Sequence, residues 1–123
     1  MSHIVTIQTE VRDRHAVERA CNRLGLAAPV EGEAKVYATT KKGLLVRLPD
    51  WEFPTVLNLA TGAVDYDNYD GHWGDPKKLD QFLQAYAVEK ATLEARKKGY
   101  SVVEQSLADG SIKLVIGVAG EAA

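Results

Sequence analysis

Short runs in which apolar and polar residues alternate make up most of this chain, and two stretches break the alternation with apolar residues every three to four positions. Alternation predicts strands with one buried face, and the longer spacing predicts amphipathic helices. The first strand is expected over 3–11, where Val5, Ile7, Thr9 and Val11 share a face and β-branched residues dominate. Lying so near the first residue, it is expected to be pinned inside a sheet. A helix follows, capped by Asp13, with Val17, Ala20, Cys21 and Leu24 forming one buried stripe and Gly25 ending it. Pro29 and Gly32 then read as loop residues.

The middle of the chain predicts four short strands. Val36, Ala38 and Thr40 alternate in the first, Lys41-Lys42-Gly43 reads as a turn, and Leu44, Val46 and Leu48 alternate in the second. Trp51-Glu52-Phe53-Pro54 is a connector. A third strand over 55–59 turns at Ala60-Thr61-Gly62-Ala63 into a fourth carrying Val64 and Tyr66.

The second helix has the clearest punctuation. Asp75 is its N-cap, and Pro76 sits at the first helical position, where a missing N–H loses nothing. Leu79, Phe82, Leu83, Tyr86 and Ala87 keep the helical period, Ala91, Leu93 and Ala95 extend it, and Gly99 stops it. At 1.5 Å per residue it would run on the order of 35 Å, longer than a small sheet needs, so its end is expected to project or to meet a partner. A hairpin closes the chain: Val103, Gln105 and Leu107 lead to an Asp109-Gly110 turn of type I′, and Ile112, Leu114, Ile116 and Val118 alternate with Lys113, Val115 and Gly117.

The fold class is therefore α+β. Element order is β-α-β-β-β-β-α-β-β, and hairpin-linked strands favour a mainly antiparallel sheet of about six to seven strands. Both helices carry one apolar stripe, so both are expected on one face of that sheet, as a two-layer sandwich. Residues 1–118 read as a single domain and 119–123 as a flexible tail.

Composition narrows the function classes. With 46% hydrophobic and 26% charged residues the chain has enough apolar material for one core and is not a disordered segment. Fifteen basic against 17 acidic residues give a net charge of -2, which lacks the basic footprint of a nucleic-acid binder, and Tyr37 and Tyr66 are too sparse for a stacking platform. A single cysteine, Cys21, excludes an intrachain disulfide. No apolar run approaches the roughly 20 residues of a membrane span, and the start lacks the apolar core of a signal peptide, so a cytoplasmic protein with no membrane association is expected.

Met1-Ser2-His3 with the strand that follows, Gln84-Ala85-Tyr86-Ala87, and the stretch from Lys98-Gly99-Tyr100 through Glu104-Gln105 to Asp109-Gly110-Ser111-Ile112-Lys113-Leu114 resemble the hypothetical chloroplast reading frame 35 family. These residues lie at the two ends of the chain, and 27–75 is outside the match. The family is a small domain of unknown function found in plastids, cyanobacteria and other bacteria. The resemblance implies a small soluble protein of a family not known to be enzymes, supplies no catalytic residues, and implies an accessory or adaptor role beside an AAA-type ATPase.

Chemistry-bearing residues concentrate in Tyr66-Asp67-Asn68-Tyr69-Asp70-Gly71-His72-Trp73-Gly74-Asp75. Loops of this kind on a rigid scaffold often carry function, and Trp and Tyr suit interfaces. Tyr66, Tyr69, Asp70, His72 and Trp73 are the candidate residues for a ligand or partner. An EF-hand reading fails, because setting Gly71 at the glycine position puts Tyr66 and Lys77 where the end carboxylates belong. A looser site would use Asp67, Asp70 and Asp75, but Asp75 is wanted as a helix cap. His72 with Asp70 or Asp75 could act as a base, yet no nucleophile or oxyanion device stands nearby. His3 and His15 read as structural or exposed. His15 and Cys21 fall on different faces of one helix, so no transition-metal site is expected, and Cys21 on the apolar stripe reads as a small hydrophobe. Phosphate-binding and serine-elbow motifs are absent.

The expectation is thus a non-enzymatic binding or adaptor domain without cofactor or metal, working through another protein or through self-association along an open sheet edge. The alternative is a small-ligand-binding protein or enzyme with its site at Tyr66–Asp75.

Overall fold

A computed structural model describes residues 4–36 and 39–118. The fold is α+β, with two helices, a five-stranded antiparallel sheet and a separate two-stranded antiparallel sheet. The elements are β1 (Val5–Gln8), α1 (Arg14–Arg23), β2 (Val30–Val36), β3 (Thr39–Val46), β4 (Thr55–Asn58), β5 (Ala63–Tyr66), a short 3₁₀ turn (Tyr69–Gly71), α2 (Pro76–Lys97), β6 (Ser101–Ser106) and β7 (Ile112–Gly117). The expected single sheet of six to seven strands is corrected: β6 and β7 pair only with each other among the described residues. The chain divides into two compact units, residues 1–86 and 87–123.

In the first unit the strand order is β1-β5-β4-β3-β2. The central β4 reads Thr-Val-Leu-Asn and buries Thr55, Val56 and Leu57 in succession, as a strand covered on both faces does. Leu44 and Val46 of β3, Val64 of β5 and Val17 of α1 are fully buried, and so is Phe82 of α2. Tyr86 ties α2 to the chain entering α1: its hydroxyl accepts from the Arg12 and Asp13 amides, both at 3.1 Å, and donates to the Glu10 carbonyl at 3.3 Å.

The caps follow the sequence. Asp13 accepts from the His15 and Ala16 amides, and the Asp75 carboxylate accepts from the Lys77 amide at 3.0 Å. Both helices end in the same motif. Gly25 and Gly99 take left-handed φ of 70° and 78°, and the next residue's amide bonds back to Cys21 and Ala95.

Four local expectations change. β1 is not pinned inside the sheet: it is an edge strand, shorter than 3–11, and Val5 is exposed. Residue 3 at its start lies outside the described residues, as do Tyr37 and Ala38 and the tail 119–123. Gly32 is not in a loop, and Lys41-Lys42-Gly43 is not a turn. Both segments lie in the β2–β3 ladder, with Gly32 opposite Gly43, Glu33 opposite Lys42 and Val36 opposite Thr39. Gly43 serves close approach instead, since a Cβ there would meet the Leu57 carbonyl oxygen of β4 at 2.5 Å. Leu24 lies past the last turn of α1 and is exposed, so the buried stripe ends at Cys21.

The closing turn is also of another kind. Gly110 has φ 89° but Asp109 is not left-handed; the Gly110 amide bonds the Leu107 carbonyl and the Leu107 amide bonds the Ser111 carbonyl. That is a type I turn with a glycine bulge rather than type I′, and the Asp109 carboxylate supports it by accepting from the Ser111 amide.

Candidate functional site

The loop between β5 and α2 lies within the first unit and is built around a buried base. Asp67 is fully buried and Asn68 nearly so. Asp67 Oδ1 accepts from the Tyr69 amide at 3.1 Å. The Asn68 side-chain amide donates to the Gly74 carbonyl at 3.2 Å, and the Asn68 carbonyl accepts from the Gly71 and Trp73 amides at 3.0 and 2.8 Å. The loop is thereby cross-linked from its first residues to its last. Asp67 Oδ2 is buried without a hydrogen-bond partner among the described residues.

On this base the chain makes a tight left-handed excursion. Tyr69, Asp70 and Gly71 have φ of 47°, 52° and 95°. Left-handed backbone is disfavoured at a residue with a Cβ, and two such residues in a row persist only where surrounding bonds hold them. The excursion brings the rings together: Tyr69 lies 4.7 Å from Trp73 and 5.0 Å from His72, centroid to centroid.

The connector after β3 supplies the other side. Trp73 meets Phe53 edge-on at 5.5 Å, and Tyr66 meets Trp51 edge-on at 5.7 Å. The Trp51 indole N–H donates to the Asp75 carbonyl at 3.0 Å, and the Glu52 amide donates to the Trp73 carbonyl at 2.8 Å. Gly74 is required here, because a Cβ would overlap the Trp51 ring. Sequence reasoning named Tyr66, Tyr69 and Trp73 but took Trp51 and Phe53 only as connector. Two aromatics flanking Glu52 just ahead of Pro54 were the signal that could have found them.

The five candidate residues therefore divide. Tyr69, His72 and Trp73 come together, with Tyr69 and His72 exposed and Trp73 half-buried. Tyr66 is held apart against Trp51, and Asp70 is exposed at the tip of the turn. Residues 69–72 of the loop are exposed, while Asp67, Asn68 and Gly74 beneath them are buried. A depression of about 110 Å³ in the same unit is lined by Leu24, Leu26, Leu48, Pro49, Lys78 and Gln81, with no residue of 66–75.

No family model, curated protein or solved structure matches the chain. Its own geometry is what the functional reading rests on. No group of three or more His, Cys, Asp or Glu side chains is placed to hold a metal ion among the described residues. Burial, with a smaller contribution from the Glu18 carboxylate, pushes the Cys21 thiol up to about 11, so the thiolate is scarce at neutral pH. Among the described residues, no helix is long and apolar enough to cross a membrane.

The second unit presents a different surface. Among the described residues, five of the nine exposed large hydrophobic ones fall on or beside its hairpin: Val103, Leu107, Val115, Ile116 and Val118. The register puts Val103 beside Val115 on one face and Val102 beside Ile116 on the other. Apolar side chains thus reach solvent from both faces of one two-stranded ribbon.

Proposed function

We propose that the chain is a non-enzymatic binding or adaptor domain that acts through protein–protein contacts in the cytoplasm. The β6–β7 hairpin is the observation that carries this reading. A lone two-stranded ribbon is marginal in water, and contiguous exposed apolar surface marks interaction sites. Val103, 61% exposed, and Val115, 48% exposed, sit side by side at its centre. A partner that covered them would remove apolar area from water and stabilise the ribbon in one step.

The test is co-purification of the full chain from its native host, with bound proteins identified by mass spectrometry and then reconstituted with purified chain. An AAA-type ATPase is the first candidate, by the resemblance alone. A reconstituted partner should bind the wild type and lose about tenfold or more in affinity with Val103→Lys. Equal binding by the two chains would overturn the assignment to the hairpin.

A second reading, a small-ligand site at Tyr66–Asp75, is supported by the clustered rings of Tyr69, His72 and Trp73 and by the left-handed backbone beneath them. Ligand-dependent quenching of tryptophan fluorescence that Trp73→Phe abolishes would favour it over the first.

A further inference from the structure

The outer edges of the two sheets are unequally protected. β2, one edge of the larger sheet, carries Glu31, Glu33 and Lys35, charges of the kind that discourage strand addition. β1, its other edge, is only four residues long. β6 carries Glu104 together with Ser101, Gln105 and Ser106. β7 reads Ile-Lys-Leu-Val-Ile-Gly and continues into Val118, with Lys113 its single charge and no proline. β6 matches it in length and in carrying one charge, but β7 is the more apolar of the two, and an apolar edge strand either pairs or aggregates.

Which of its backbone groups face outward follows from the turn. The Leu107 amide bonds the Ser111 carbonyl, so these two face each other with their polar groups inward. Inward and outward residues alternate along an antiparallel ladder. Lys113, Val115 and Gly117 therefore direct their N–H and C=O groups to β6, and Ile112, Leu114 and Ile116 direct theirs away from it.

We infer that β7 pairs antiparallel with β7 of a second copy of this chain, about a two-fold axis at Val115. This rests on the binding reading above and names the partner at that surface. The register is selected by what each alternative would oppose. An axis at Lys113 sets two ammonium groups against each other, which is unfavourable for directly opposed residues. An axis at Leu114 pairs only the span from Ile112 to Ile116. An axis at Val115 pairs the whole span from Ile112 to Val118, sets Leu114 against Ile116 with their free backbone groups facing, and places Lys113 opposite Gly117, where there is no side chain to oppose it. Val115 meets its own counterpart, so the contact is self-complementary, as a two-fold interface must be. The two ribbons become one four-stranded sheet.

The test uses Val115→Lys and Val115→Glu in the full chain, at a position already exposed in the single copy. Sedimentation equilibrium from micromolar to millimolar concentration should show a dimer for the wild type. Each variant alone should dissociate at least tenfold more readily, since like charges then face each other across the axis, and an equimolar mixture of the two should restore a dimer. Glu33→Gln, at an exposed position on the edge strand β2 of the first unit, should leave the wild-type association unchanged. Circular dichroism matching the wild type shows that each variant is folded. A monomeric wild type, or a dimer indifferent to both Val115 charges, overturns the inference. A different protein bound by a chain that stays monomeric would do the same while leaving the adaptor reading intact.

Discussion

The two compact units of this chain treat their apolar residues in opposite ways. Among the described residues, 16 of the buried hydrophobic ones lie in 4–86 and two, Val88 and Ala95, lie beyond, although the second unit holds five of the nine exposed large ones. In the first unit the strands surround a β4 that is buried along most of its length, and α1 and the start of α2 each contribute fully buried side chains. In the second unit the ribbon has two strands and apolar residues on both faces. A sheet of five strands can close a core; a ribbon of two cannot cover both of its faces by itself. The difference teaches that one short chain concentrates its buried apolar side chains in one unit and leaves most of its exposed ones in the other.

The largest test of that contrast is in the first core. Phe82→Ala should destabilise the fold by about 3–5 kcal/mol, read from urea denaturation, because Phe82 is among the largest fully buried side chains. A loss under about 1 kcal/mol would mean that the core is not closed there. Gly74→Ala should come next, at about 1–3 kcal/mol, since the added methyl displaces the Trp51 ring and with it the aromatic loop. Its tryptophan emission should shift as well, and an unchanged spectrum would argue against that contact.

Cys21 sharpens the comparison through pH. Its thiol titrates near 11 in the folded chain against an ordinary value of 9.0. Below about pH 9 both folded and unfolded chains keep the proton, and stability is unaffected. Between about 9 and 11 the unfolded chain releases it first, so stability falls as pH rises. The decline measured by urea denaturation should be shallower in Cys21→Ala than in the wild type. Parallel declines would show that the thiol is not buried. The smallest effect belongs to the ribbon: Val103→Ser should change stability by no more than about 0.5 kcal/mol, because Val103 is 61% exposed.

Much of this was legible in the chain, and the failures have physical causes. Asp13, Asp75, Pro76, Gly25 and Gly99 punctuate both helices where their chemistry predicts, because capping is local. Lys41-Lys42-Gly43 misled because a glycine can mark close strand approach as well as a turn, and only the position of Leu57 decides which. For the closing turn, Asp109-Gly110 indicated a reversal but not its type, which depends on the φ of Asp109. The aromatic loop was found from composition, whereas its partners Trp51 and Phe53 are distant in sequence and needed the fold. Alternation in β6 and β7 predicted one buried face; pairing in a sheet of only two strands left both faces in contact with solvent, which no local pattern encodes.

The most direct measurement is amide hydrogen exchange along β7, resolved residue by residue, at low and at high protein concentration. The account predicts that Lys113 and Val115 are protected at both, because their amides face β6. Ile112, Leu114 and Ile116 should exchange freely when dilute and become protected as concentration rises. Exchange at those three residues that is independent of concentration would contradict it.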